Sequence, residues 1–142
     1  AMLVTVLWRL ENEPDASSAG RFPDVAAGAW YAQAVAWAAE NNIVSGYDEN
    51  TFGPNDPITR EQIAAIMNRY ASRKGYDTAA KADLSAFIDA GKTSGWARSA
   101  MEWAVAEGLI KGVSGAGLDP AGFATRAQVA TILMRFVHNL VA

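Results

Sequence analysis

Apolar and polar positions follow a helical rather than a strand rhythm along this chain. In the stretch from Trp30 to Glu40 the apolar residues Tyr31, Ala34, Val35 and Ala38 fall at the i, i+3, i+4, i+7 spacing of one helix face. The stretch from Trp96 to Glu107 does the same. Each ends before a short apolar step, Ile43-Val44 or Leu109-Ile110, and then Gly46 or Gly112, a position suited to a turn with positive φ. A longer helix is predicted after Thr59 and again after Thr125. Ile63, Ala64, Ile66, Met67 and Tyr70 form its buried stripe in the first case, and Val129, Ala130, Ile132, Leu133 and Phe136 in the second. Both open on the same capping box, Thr59-Arg60-Glu61-Gln62 and Thr125-Arg126-Ala127-Gln128, in which Thr caps the third amide and Gln reaches back to the N–H of Thr. Residues 1–10 supply a third such stripe: Leu3, Val4, Val6, Leu7 and Leu10.

These elements repeat. Trp30, Trp37, Gly46, Pro54, Thr59, Arg60, Gln62 and Arg69 return, all at one offset of 66 residues, as Trp96, Trp103, Gly112, Pro120, Thr125, Arg126, Gln128 and Arg135. Phe22-Pro23-Asp24-Val25 returns one residue earlier as Phe87-Ile88-Asp89-Ala90. The first ten residues lie over Glu61 to Tyr70, which places Arg9 with Arg69 and Arg135. The organisation expected is the last helix and linker of a truncated repeat (1–19), a complete repeat (20–79) and a second, more divergent one (80–142). No unit of this size buries its stripe alone, so the three long helices are expected to pack together in an all-α fold.

Composition narrows the function. The 142 residues are 51% hydrophobic, enough for a packed core and against disorder. With 12 basic and 15 acidic side chains the net charge is −3, so no broad basic field is available for nucleic acid or an anionic membrane. No run approaches the roughly 18 apolar residues of a membrane span, and Met2 to Trp8 reads as a helix face rather than a signal core. Cysteine is absent, which removes disulfides, thiolate metal sites and cysteine nucleophiles. The one histidine, His138, reads as a surface residue of the last helical turn. The acids of the loop 47–57 suggest calcium, but the loop 113–122 keeps only Asp119, so turn chemistry is the better reading and no metal or cofactor is expected.

The cap does not explain Arg60 and Arg126. A cation at the first helical position opposes the helix dipole, yet both complete repeats carry one. A free helix N-terminus with an added guanidinium is an anion site. The structural alternative is a salt bridge to Asp24 or Asp89, and both readings stand. Trp30 and Trp96 either wedge into the core or offer an indole face to a sugar ring, while Trp37 and Trp103 are expected to pack inward. Asp24 and Asp89 also read as turn or cap acceptors.

Phe22-Pro23-Asp24-Val25, Trp30-Tyr31, Ala34-Val35, Gly46, Thr51-Phe52-Gly53-Pro54 and Ile58-Thr59-Arg60-Glu61-Gln62 resemble the S-layer homology (SLH) repeat. The second repeat is looser, with Ile88 for Pro, Ala90 for Val and Leu118 for Phe. The resemblance implies helix-loop-helix repeats about a pseudo-threefold central bundle, with grooves between repeats. It also implies an extracellular module on a bacterial cell wall that holds a secreted protein there non-covalently, without catalysis, insertion into a membrane or nucleic acid. The implied partner is an acidic secondary cell wall polysaccharide, often bearing a ketal-linked pyruvate. The implied ligand-binding residues are Arg60 and Arg126, with Asp24, Asp89, Trp30, Trp96, Gly46 and Gly112. The alternative is a protein-assembly module of the cell surface, with self-association through the incomplete first repeat and its residues Leu3, Leu7 and Leu10.

Overall fold

The computed structural model describes residues 2–14, 25, 28–41, 43, 58–84, 87, 90–110, 117, 118, 120 and 122–141, with Met2, Ala90, Arg126, Leu140 and Val141 described through their backbone. Five α-helices occupy these residues: α1 (Met2–Leu10), α2 (Ala32–Glu40), α3 (Arg60–Lys74), α4 (Arg98–Ala106) and α5 (Arg126–Phe136). A 3₁₀ turn, Gly95–Ala97, leads into α4, and a π-helical turn, Val137–Val141, continues α5. The fold is all-α, as the apolar periodicity predicts. The chain divides into two compact units, residues 1–56 and 57–142.

In the first unit α1 packs on α2. Leu3, Val4 and Leu7 are buried there, as are Ala34, Val35 and Ala38 of α2. The face expected to drive self-association is therefore largely consumed inside the unit: Leu3 and Leu7 are covered, and Leu10 alone of the three is exposed.

In the second unit α3 packs on α4 and on the turn before it. Ile63, Ala64 and Met67 meet a core that includes Met101, Trp103, Ala104 and Leu109, all almost fully buried. Tyr70 of α3 and Tyr76 after it lie 5.8 and 6.0 Å from the ring of Phe136 in α5, within the range of tilted aromatic contact. Both capping boxes form. Thr59 Oγ1 accepts from Gln62 N at 3.2 Å while Thr59 N donates to Gln62 Oε1 at 2.9 Å, and the Thr125–Gln128 pair repeats this at 3.1 and 2.9 Å. Helix α3 stops at Gly75, whose φ of 77° is the left-handed C-cap that glycine adopts without a Cβ penalty.

Helices α2 and α4 begin two residues later than the stripe predicts. Tyr31 and Ala97 are their N-caps and neither supplies a capping side chain. Trp30 and Trp96 thus sit in the turn ahead of their helices.

Candidate functional site

The α-helical N-terminus of α3 has four backbone N–H groups without helical partners, and all four are occupied. Arg60 N donates to Gly122 O and Glu61 N to Pro120 O, both at 3.0 Å. Gln62 N goes to Thr59 Oγ1 at 3.2 Å and Thr59 N to Gln62 Oε1 at 2.9 Å. The acceptors Pro120 and Gly122 come from the second repeat, held close because Thr59 pairs with Phe123 in an antiparallel bridge and Ala124 N donates to Ile58 O at 2.9 Å. This corrects one premise of the sequence reading: the helix end at Arg60 is not a free cradle of amides, and any anion there is met by the guanidinium.

That guanidinium is unusual. Arg60 is only 7% exposed, and its Nε is buried with no hydrogen-bond partner among the described residues. An unsatisfied buried donor costs roughly 1–3 kcal/mol, more when charged, unless something supplies an acceptor. Thr93 is 8% exposed and its Oγ1 also lacks a partner among the described residues.

Glu61 ties these features together. It is 7% exposed, and its carboxylate accepts from Ser94 twice, from Oγ at 2.7 Å and from N at 2.9 Å. Ser94 is the N-cap of the turn Gly95–Ala97, which carries Trp96. The head of α3, where Arg60 precedes Glu61, is thereby tied to the segment 93–96 of the second complete repeat.

Trp96 is 59% exposed and Trp30 is 65% exposed, so neither wedges into the core. Their place in a turn ahead of the helix explains this, since an indole there leaves the packed face. Trp30 stacks edge-on against Tyr31 at 5.1 Å. Trp37 and Trp103 pack inward as expected, the latter donating from Nε1 to Asp77 O at 3.3 Å. Arg126 heads α5 in the same capping frame as Arg60, and its side chain lies outside the described residues. Asp24, Asp89, Gly46 and Gly112 also lie outside them. His138 is on the surface.

Sequence reasoning missed Glu61, Thr93 and Ser94. The one clue was the difference between the repeats: Glu61 stands where the second long helix has Ala127, and Ser94 stands where the first repeat has Gly28. Among the described residues no cluster of His, Cys, Asp or Glu could hold a metal ion, and no helix is long and apolar enough to cross a membrane.

The S-layer homology domain model matches residues 21–64 and 86–130, and the chain belongs to that family. It is a cell-surface anchoring module and works outside the cell, at the wall surface. Over 143 residues it is 36% identical to the Surface-layer 125 kDa protein of Lysinibacillus sphaericus, covering 99% of this chain and 11% of that protein. It is 28% identical to the Cellulosome-anchoring protein of Acetivibrio thermocellus over 91% of this chain and 28% of that protein. The Amylopullulanase of Thermoanaerobacterium thermosulfurigenes is 34% identical over 94% of this chain, which spans only 7% of that enzyme. The chain thus spans a small part of the length of each of these relatives.

Proposed function

We propose that this chain anchors its parent protein by binding an acidic secondary cell wall polysaccharide, with the carboxylate of a ketal-linked pyruvate as the group recognised. The observation that carries this reading is the buried Arg60, whose Nε has no partner among the described residues, at the head of a helix whose Glu61 holds Ser94, two residues before the exposed Trp96. A carboxylate oxygen supplies the acceptor that Nε lacks, in a charge-assisted bond stronger than a neutral one. The indole of Trp96 offers its face to the C–H face of a sugar ring. No bond is made or broken, and the module is not catalytic.

Arg126, Trp30, Asp24, Asp89, Gly46 and Gly112 complete the reading as further ligand-binding positions of the same kind. The repeats 20–79 and 80–142, with 1–19 as the closing helix of another, are its units. Several modest contacts on one polymer multiply through effective concentration, so a repeated module gains by avidity. The anchoring named in the A. thermocellus relative is in keeping with this. Self-association through Leu3, Leu7 and Leu10 is the weaker reading, because two of these three are buried within their own unit.

Co-sedimentation of the chain with cell-wall sacculi, intact and stripped of secondary polysaccharide, tests the proposal. The expected result is retention on intact sacculi alone. Equal retention on both would show that the partner is not this polymer.

A further inference from the structure

Glu61 carries a cost that its repeat counterpart does not. A carboxylate complements a helix dipole from an exposed position in the first turn, and burial is not needed for that. Here it is 93% removed from solvent, which penalises a charge unless it is well bonded. At the same place in α5 the chain uses Ala127, so a long helix of this family does not require the acid.

The carboxylate serves the neighbouring repeat instead. Both of its oxygens go to one residue, Oε1 to Ser94 Oγ and Oε2 to Ser94 N, which fixes the position and the orientation of that residue's backbone. Ser94 makes no side-chain cap to its own turn, so its hydroxyl is spent on Glu61. Its carbonyl accepts from Ala97 N at 2.9 Å and closes the turn. Between Ser94 and Trp96 stands Gly95, a permissive joint that would otherwise leave the indole free to wander. Since Glu61 follows Arg60 at the head of α3, the two hydrogen bonds from Ser94 tie the turn that carries Trp96 to the helix end that carries Arg60.

We infer that Glu61 is a positioning residue: through Ser94 it presets Trp96 against Arg60, so that one acidic sugar meets both without first ordering the turn. The inference rests on the glycan-anchoring reading above. Preorganisation of this sort raises affinity by removing an ordering cost, not by adding a contact. It also makes the Arg60–Trp96 site unequal to its repeat equivalents, because Gly28 replaces Ser94 in one and Ala127 replaces Glu61 in the other.

The test uses the full chain and the variants Glu61→Ala, Glu61→Gln, Ser94→Ala and the double variant Glu61→Ala/Ser94→Ala. Binding of purified pyruvylated secondary cell wall polysaccharide is followed by calorimetry. Iodide quenching of tryptophan fluorescence, with Trp96→Phe as the reference that isolates the Trp96 signal, is followed without polysaccharide. Glu61→Ala is expected to weaken binding roughly tenfold, Ser94→Ala less, and the double variant no more than Glu61→Ala, since the two act as one unit. Glu61→Gln keeps an acceptor oxygen for Ser94 and should recover most of the affinity at a melting temperature close to wild type. The quenching of Trp96 should change in Glu61→Ala and return in Glu61→Gln. Wild-type affinity in Glu61→Ala, or losses in Glu61→Ala and Ser94→Ala that simply add, would overturn the assignment. If the wild type itself ignores the polysaccharide, the glycan reading fails on its own, and unchanged Trp96 quenching in Glu61→Ala would still overturn the positioning role.

Discussion

Thr59 and Phe123 pair across an antiparallel bridge, and this joins the heads of α3 and α5. Thr59 does two jobs: its backbone makes the bridge and its side chain caps α3. Replacing it with alanine keeps the first and removes the second. Thr59→Ala is therefore expected to lower stability by about 1 kcal/mol, read as a shift of the urea midpoint with an unchanged slope. Thr125→Ala should cost less, because Thr125 is exposed whereas Thr59 is half-buried. Equal and negligible effects at both sites would show that the boxes contribute nothing.

Met67 and Met134 separate core from surface on the two long helices of the second unit. Met67 is fully buried and Met134 is 64% exposed. Met67→Ala removes buried atoms and leaves a cavity, with an expected loss of about 2–5 kcal/mol. Met134→Ala should stay within about 0.5 kcal/mol of wild type. Chemical denaturation of both variants checks the contrast, and a large loss at Met134 would mean that its side chain is packed.

The two tryptophans of the second repeat are expected to fail in opposite ways. Trp103 is 1% exposed, so Trp103→Ala should cost about 3–5 kcal/mol of stability. Trp96→Ala should leave the melting curve nearly unchanged and weaken polysaccharide binding by roughly 2 kcal/mol, the scale of an exposed aromatic anchor at a recognition surface. Thermal melts and calorimetry on the same two proteins decide it.

Arg60→Lys keeps the charge and removes the fork. Lysine is a point charge with no planar pair of donors, so the variant should bind the polysaccharide far more weakly than wild type if a carboxylate is gripped by the guanidinium. Full binding by Arg60→Lys would reduce the role of Arg60 to general electrostatic attraction.

Local features of this fold were legible before the structure. The Thr-x-x-Gln boxes need only residues three apart, and the stripe that buries Ile63, Met67 and Trp103 needs only helical periodicity. Features that depend on another repeat were not. The α3 head looked free because nothing in Thr59-Arg60-Glu61-Gln62 announces that Pro120 and Gly122 will supply carbonyls to it. Trp30 and Trp96 were ambiguous for a related reason: an indole wedges inward if the helix starts at it, and faces out if the helix starts two residues later. In the structure both helices start two residues later, with Tyr31 and Ala97 as their N-caps. The Glu61–Ser94 grip combines both difficulties, being long-range and present at only one junction.

Arg60 is proposed to read a carboxylate on the wall polymer. Calorimetric titration with purified secondary cell wall polysaccharide, before and after removal of its pyruvate, on wild type and Arg60→Ala, tests this most directly. Binding that needs both the pyruvate and Arg60 is the predicted result. Binding by a folded wild type that survives loss of the pyruvate, or by Arg60→Ala at full strength, would contradict it.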